Sequence, residues 1–158
     1  MQSAEPASRK IEVSVAQQLL RLYEDDQVLG EWPVSTSKFG EGYEEGSYKT
    51  PLGKFKVAEE FGDDQPIGTI FKSRLPIGVR DDGEDSTSDD LILSRILWLE
   101  GLDDDNANTK DRYIYIHGTN HEHDIGKPAS IGCVRMKNAD VVSLYEKVTV
   151  GTLVEIVA

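Results

Sequence analysis

The sequence predicts a mainly β domain with one or two short helices. Apolar and polar residues alternate in several short segments, and the 14 glycines favour many turns between them. Alternation with a period of two is typical of strands buried on one face, whereas only one segment has the spacing of an amphipathic helix. At 158 residues the chain can bury one hydrophobic core. We expect a flexible leader at residues 1–10 and a single domain at residues 11–158.

The first strands form an antiparallel meander. Residues 11–15 alternate, and residues 19–24 continue as a second strand. Residues 25–27, Asp-Asp-Gln, form a tight turn that leads into a third strand at residues 28–35.

The middle of the chain mixes loops with one clear strand. A Gly- and Glu-rich surface loop at residues 39–50 precedes an alternating strand at residues 53–59, and residues 62–69 are rich in turn formers. Residues 78–90 are polar, acidic and almost without apolar side chains. Structureless loops of this length are usually functional lids or disordered insertions, and both interpretations stay open here.

The most apolar segments come next and predict central strands. They are residues 91–99 and residues 112–116, the second of which ends directly before His117. Asn138 is a favourable N-cap for a helix at residues 139–147, and residues 153–157 close the chain as a strand.

Charge and hydropathy exclude two classes of partner. The 17 basic and 29 acidic side chains give a net charge of −12, which repels nucleic acids and anionic lipid surfaces. No apolar run approaches the roughly 20 residues of a membrane helix, so we expect no transmembrane segment. We also expect a monomer. The start lacks the apolar stretch of a signal peptide. We therefore expect a cytoplasmic protein if the chain is complete, and an exported one if a signal was left out.

One cysteine, Cys133, invites a chemical interpretation. A thiol with a pKa of about 8.5 needs a nearby base or positive charge to become a thiolate. His117, at the exit of an apolar strand, is the candidate base, and the Gly118 carbonyl is placed to accept from its other ring nitrogen. Gly132 lets the backbone approach a substrate, so the amides of residues 132 and 133 are candidate oxyanion donors. Arg135 is placed to lower the thiol pKa or to hold a substrate carboxylate.

Two other interpretations of these side chains remain at this stage. A lone cysteine or histidine is more often a buried packing residue than a catalytic one. His117 and His121 have the four-residue spacing of zinc hydrolases, and His123 lies nearby. The glycine and asparagine between the first two histidines argue against a helix there, so we expect no metal.

Three separated segments carry a more specific pattern. Residues 32–36 (Trp-Pro-Val-Ser-Thr) lead to residues 50–55 (Thr-Pro-Leu-Gly-Lys-Phe), and residues 95–101 read Arg-Ile-Leu-Trp-Leu-Glu-Gly. The most specific segment joins residues 116–119 (Ile-His-Gly-Thr) to residues 130–136 (Ser-Ile-Gly-Cys-Val-Arg-Met). Together they resemble the L,D-transpeptidase catalytic domain, or YkuD family, over nearly the whole chain.

The resemblance implies a mixed β-sandwich or barrel-like fold and a function. It assigns Cys133 as the nucleophile, His117 as its activator and Gly118 as the residue that orients His117. Ser130, Gly132 and Arg135 match positions that shape the substrate and oxyanion site, and no cofactor is implied. The implied substrates are peptidoglycan tetrapeptide stems, cleaved before the terminal D-alanine and cross-linked through third residues in the periplasm or cell envelope. Carbapenems are expected to trap such a thiol.

One departure from the family pattern keeps alternatives open. Where the family most often has Ser-His-Gly-Cys, this chain has isoleucine at position 131. Isoleucine neither titrates nor donates a hydrogen bond. An L,D-carboxypeptidase that releases D-alanine to water and a non-catalytic peptidoglycan-binding module therefore stay as alternatives. The acidic residues 81–90 are a candidate lid that attracts an amine acceptor.

Overall fold

The computed structural model describes residues 8–80 and 91–158. The acidic segment 81–90, proposed as a lid, lies outside the described residues. Within the described ranges the chain forms ten strands and one α-helix. The strands are β1 (Arg9–Ser14), β2 (Leu19–Glu24), β3 (Gln27–Ser35), β4 (Gly53–Phe61), β5 (Thr69–Lys72), β6 (Leu75–Val79), β7 (Ile92–Gly101), β8 (Tyr115–Thr119), β9 (Val134–Met136) and β10 (Leu153–Val157), and the helix is α1 (Asn138–Lys147).

The strands form one mixed sheet that closes on itself. Its order is β4-β10-β1-β2-β3-β9-β8-β7-β5-β6, and β4 also pairs with β7. That additional pairing joins the two ends of the run from β4 to β7 into a ring, and the β5–β6 hairpin extends from β7. The pairs β1–β10 and β8–β9 are parallel. The expected mainly β, mixed, barrel-like architecture is confirmed.

The main hydrophobic core lies inside this ring. Alternate residues of β1 and β2, such as Ile11, Val13, Leu20 and Leu22, are fully buried, as the alternation predicts. They pack in one cluster with residues of β4, β7, β8, β9 and β10. Helix α1 adds two fully buried side chains, Val141 and Leu144, to the same cluster.

The β5–β6 hairpin differs from the prediction, which placed no strand there. All five residues of β6 are exposed, and Leu75, Ile77 and Val79 alternate with Pro76 and Gly78. An exposed apolar strand lacks the polar and apolar alternation that marks a half-buried one, so the sequence pattern does not reveal it.

The boundaries of β8 and α1 also differ from expectation. A short 3-10 turn at Lys110–Arg112 replaces the predicted start of a strand, and β8 continues past His117 to Thr119. The helix lies where predicted, but Asn138 is its first residue and not its cap. The Asn138 amide instead donates to the Glu122 carboxylate at 2.7 Å, which satisfies the helix N-terminus from outside.

The N-terminal boundary is also earlier than the sequence suggests. Strand β1 begins at Arg9, so two residues of the expected leader belong to the sheet. Among the residues that the structure describes, no helix is long and apolar enough to cross a membrane.

Candidate active site

Strands β8 and β9 bring the two parts of the cysteine and histidine motif together. They pair in parallel, with Ile116 opposite Val134 and His117 opposite Arg135. Cys133 immediately precedes β9, so it lies beside the start of β8. Residues two apart on a strand share a face, which places Tyr115 and His117 on one face of β8. Their rings meet edge to face, with centroids 6.5 Å apart.

The thiol of Cys133 lies against the backbone of the segment that leads into β8. Its Sγ accepts a hydrogen bond from Tyr115 N at 3.3 Å and lies 3.4 Å from the Tyr113 carbonyl oxygen. The residue is partly buried and packs beside the cluster of Phe71, Ile96 and Tyr115. A thiol donates to the carbonyl, whereas a thiolate is favoured by the Tyr115 N–H, so the pocket accommodates both forms.

His117 is held by its own neighbour in the chain. Its side chain is buried, and Nδ1 lies 2.5 Å from the Gly118 carbonyl oxygen. A carbonyl only accepts, so Nδ1 carries the hydrogen in this contact. In the neutral ring, Nε2 is then the nitrogen that can take up a proton.

The loop that presents Cys133, residues 129–133, is fixed from both sides. Ser130 Oγ donates to the Cys133 carbonyl at 2.7 Å and accepts from Gly132 N at 3.3 Å. The Gly132 carbonyl accepts from Thr50 Oγ1 at 2.9 Å. Gly132 has a φ of 130°, a conformation that side-chain-bearing residues rarely adopt. Ser130 is itself buried, so it shapes the loop from inside and is not on the surface that a substrate meets.

Arg135 is placed differently from the sequence expectation. Only 2% of the residue is exposed. Its Nη1 lies 3.4 Å from Nδ1 of His121, and its Nη2 lies 3.8 Å from the Asp124 carboxylate. A substrate carboxylate cannot reach this guanidinium without displacing the side chains that cover it.

Arg112 is a cation near the thiol that the sequence reasoning missed. It donates to the carbonyl oxygens of Gly42 at 3.2 Å and Lys49 at 2.6 Å, which anchors the 39–50 loop. Burial lowers the pKa of Arg112, and the charge of Cys133 opposes that change. The sequence carries no signal for this placement, because it depends on a loop more than sixty residues away.

The histidines that suggested zinc do not assemble a ligand set. Across residues 8–80 and 91–158, no group of three His, Cys, Asp or Glu side chains is close enough to hold a metal ion. His121 and His123 have ring centroids 6.1 Å apart, and His123 Nε2 lies 3.5 Å from Asp124.

Comparison with known proteins agrees with this geometry. The family model described as the L,D-transpeptidase catalytic domain, YkuD, matches residues 8–156. The chain belongs to the L,D-transpeptidase family. It is similar to YqjB, an L,D-transpeptidase by name, from Bacillus subtilis, with 34% identity over 82% of this chain and 60% of the relative. YkuD of Bacillus licheniformis is 31% identical over 93% of this chain and 64% of the relative.

Solved L,D-transpeptidases share the fold at low identity. L,D-transpeptidase 3 from Mycobacterium tuberculosis, solved with a faropenem-derived adduct, superposes with a TM-score of 0.62 and 15% identity. The match covers 96% of this chain and 61% of that structure. This chain therefore spans less than two thirds of the L,D-transpeptidases that it matches here.

Ile131 is the position at which the L,D-transpeptidase motif of this chain departs from the expected pattern. Half of its surface is exposed, two residues before Cys133 in the chain. An apolar side chain therefore stands at the rim of the site. It can contact a substrate through its surface but cannot donate a hydrogen bond to it.

Proposed function

We propose that this chain is a cysteine-dependent L,D-transpeptidase that acts on peptidoglycan tetrapeptide stems through a thioester on Cys133. The observation that carries the proposal is the pairing of β8 with the Cys133 loop. The sulfur lies against the Tyr115 N–H, and His117, whose Nδ1 is bound to the Gly118 carbonyl, follows two residues later on the same strand. Family membership supports the same chemistry.

The first step forms the thiolate. His117 Nε2 takes the thiol proton and becomes an imidazolium, while Nδ1–H stays on the Gly118 carbonyl. The Tyr115 N–H and the charge of Arg112 stabilise the sulfur anion. Arg112 is thus a second candidate for the electrostatic role that the sequence suggests for Arg135.

Acylation follows at the carbonyl between the third residue and the terminal D-alanine. The thiolate attacks the carbon, a C–S bond forms, and the negative charge moves to the oxygen. We assign the amides of Gly132 and Cys133 as donors to this oxyanion. Gly132 N donates to Ser130 Oγ at 3.3 Å, so the Gly132 amide must leave this hydroxyl to meet the oxyanion. When the C–N bond breaks, His117 returns its proton to the departing D-alanine amine.

The acceptor then resolves the thioester. An amine from the third residue of a neighbouring stem attacks the acyl carbon and gives a proton to His117, which is neutral after the first half-reaction. The C–S bond breaks, the Cys133 thiolate leaves, and an amide cross-links the two third residues. Water in the same position would release a tripeptide, which is the carboxypeptidase reaction. The apolar rim at Ile131 favours retention of a peptide acceptor over water. Action on peptidoglycan would take place in the bacterial cell envelope.

Product analysis tests this function. Purified tetrapeptide muropeptides are incubated with the wild-type chain and with Cys133→Ala, with and without an added amine acceptor, and the products are weighed by mass spectrometry. We expect cross-linked dimers from the wild type and none from the variant. Tripeptides alone would favour the carboxypeptidase, and turnover by Cys133→Ala would contradict the thiol mechanism. Retention on peptidoglycan without any product would favour a binding module.

A further inference from the structure

The tip of the β5–β6 hairpin places an arginine in an unusual position. Lys72 pairs with Leu75, so the turn consists of Ser73 and Arg74 alone. Both have positive φ, 49° and 66°. Two-residue turns of this kind favour Asn-Gly because other side chains are strained there. Strain at such a position persists only where surrounding contacts over-determine the conformation.

Those contacts come from three aromatic residues. The Arg74 guanidinium lies over the Trp98 ring at 4.6 Å and over the Tyr113 ring at 5.6 Å. Arg74 Nη1 donates to the Tyr115 hydroxyl at 3.0 Å, and this bond raises the pKa of Arg74. Trp98 and Tyr113 are themselves stacked, with centroids 5.7 Å apart. The guanidinium is therefore fixed on an aromatic surface, and the residue is partly exposed.

The same two tyrosines also contact the thiol. The Tyr115 amide donates to Cys133 Sγ at 3.3 Å, and the Tyr113 carbonyl oxygen lies 3.4 Å from it. The guanidinium is thus one tyrosine side chain away from the sulfur. Consecutive residues in a peptide are 3.8 Å apart, so a group one or two residues from a carbonyl held at Cys133 can reach Arg74.

Other cations around the site are engaged elsewhere. Arg135 is buried and Arg112 donates to loop carbonyls. Lys110 also lies over the Trp98 ring, at 4.9 Å, but its ammonium pairs with Glu59 at 2.9 Å. Arg74 is partly exposed, and its hydrogen bond to Tyr115 uses one of its five N–H donors. In a chain of net charge −12, a guanidinium fixed on this aromatic surface is a local reversal of sign.

We propose that Arg74 is a substrate-binding residue that holds a carboxylate of the donor peptide, an inference that rests on the proposed function of Cys133. The planar guanidinium can take a carboxylate through two parallel hydrogen bonds, which a lysine cannot match. The stem offers this group at its terminal D-alanine and on the side chain of a third residue that carries one. Holding it fixes which carbonyl meets the sulfur.

Equilibrium binding to Cys133→Ala tests the proposal without requiring turnover. The probes are a tetrapeptide stem, its C-terminal amide, and a stem amidated on the third side chain. Each is titrated by calorimetry into Cys133→Ala alone and combined with Arg74→Gln, Arg74→Lys or Lys72→Gln. Lys72→Gln removes the same charge from the same hairpin, at an exposed residue outside the aromatic surface.

We expect Arg74→Gln to raise the Kd of the free stem roughly 10-fold, since a hydrogen bond to a charged group is lost. Arg74→Lys should recover only part of this affinity, and Lys72→Gln should change it less than about twofold. One of the two amidated peptides lacks the carboxylate that Arg74 holds. For that peptide, Arg74→Gln should leave the Kd unchanged, which shows which carboxylate Arg74 binds.

Equal weakening of all three peptides would show a structural role for Arg74 and overturn the proposal, as would an unchanged Kd or a failure of every peptide to bind. The proposed function is judged separately, by the mass of the wild-type chain after incubation with the stem. Acylation of Cys133 without an Arg74 effect leaves the function standing and removes the carboxylate site. If Arg74→Gln weakens binding but Cys133 is never acylated, the carboxylate site stands and the proposed function is removed.

Discussion

Gly118 meets two geometric demands at once. Its carbonyl accepts from Nδ1 of His117, and its Cα faces the backbone of β7. A Cβ at this position would lie 2.6 Å from the Leu93 carbonyl oxygen and also collide with the Asn138 side chain. Close approach, and not an unusual φ, is the reason for glycine here.

Gly118→Ala should therefore destabilise the fold by about 1–3 kcal/mol, because β7 or Asn138 must move. Since the same movement shifts the His117 ring, kcat should fall more than KM rises. Urea unfolding and steady-state kinetics measure the two effects.

Gly78→Ala is the matched control, because the added Cβ would meet only Ile70 at 4.0 Å. Its free energy of unfolding should stay within about 0.5 kcal/mol of the wild type. A Gly118→Ala chain as stable and active as this control would remove the steric argument.

At the residue scale, the sequence points only to groups whose chemistry is visible in their type. Cys133 and His117 stand out as a lone thiol and an imidazole at a strand end, and the structure brings β8 and the Cys133 loop together. Arg112 and Arg74 were missed because arginines are common on surfaces. Their positions depend on contacts with the 39–50 loop and with Trp98, which no local pattern encodes.

At the scale of elements, the Cys133 loop is held by a residue that precedes β4. Thr50 is 1% exposed, accepts from Ser37 N at 2.9 Å and donates to the Gly132 carbonyl at 2.9 Å. One hydroxyl thus connects the segment after β3 with the segment before β9.

Replacing Thr50 by valine keeps the shape of the side chain but removes both bonds. We expect a loss of about 1–3 kcal/mol in the free energy of unfolding, since two buried backbone groups lose a partner. Acylation should slow as the loop loosens, which stopped-flow reaction of Cys133 with a carbapenem can follow.

Thr50→Ser retains the hydroxyl and should preserve most of the acylation rate, with a smaller loss of stability from the missing methyl group. If serine and valine slowed acylation equally, the hydrogen bonds of Thr50 would not be what positions the loop.

The elements themselves were predictable where burial follows a pattern. The meander β1–β3, strands β4, β7 and β10, and helix α1 lie close to their predicted ranges. The β5–β6 hairpin was missed because β6 is exposed throughout and β5 has only four residues. The cap of α1 was misassigned because Glu122, a residue distant in the chain, takes the place of a local side chain.

At the scale of the whole molecule, closure of the sheet makes the site possible. The pairing of β4 with β7 completes the ring, and β8 and β9 then lie side by side within it. The parallel β8–β9 pair cannot be read from the sequence, since parallel neighbours need a long connection and give no hairpin signal.

The acidic balance of the molecule also affects its stability. Glu60 on β4 has a buried Oε1 that finds no hydrogen-bond partner within the described residues. Burial raises the pKa of Glu60, and the charge of Asp63 raises it further. The folded state thus disfavours the ionised form more than the unfolded state does.

The raised pKa of Glu60 makes the free energy of unfolding depend on pH. Protonated Glu60 contributes to the free energy of unfolding. This contribution is complete below the ordinary pKa of 4.5 and is lost as the pH rises through the raised pKa of the folded state. Glu60→Gln should therefore raise the free energy of unfolding at pH 7.5 and change it less at pH 3.5. Urea unfolding at both pH values measures the difference.

The exposed Glu146→Gln on α1 is the control for removing one negative charge from a chain of net charge −12. An equal gain for Glu146→Gln and Glu60→Gln at pH 7.5 would assign the effect to net charge and not to burial.

We propose that Cys133 carries the acyl group. Intact-protein mass spectrometry measures this directly. The wild-type chain is mixed with a tetrapeptide stem, quenched in acid within seconds, weighed and digested to locate the added mass. We predict a gain equal to the stem minus its terminal D-alanine, located on Cys133 and absent from Cys133→Ala. Turnover of the stem with no added mass on Cys133, or with the mass on another residue, would contradict the account.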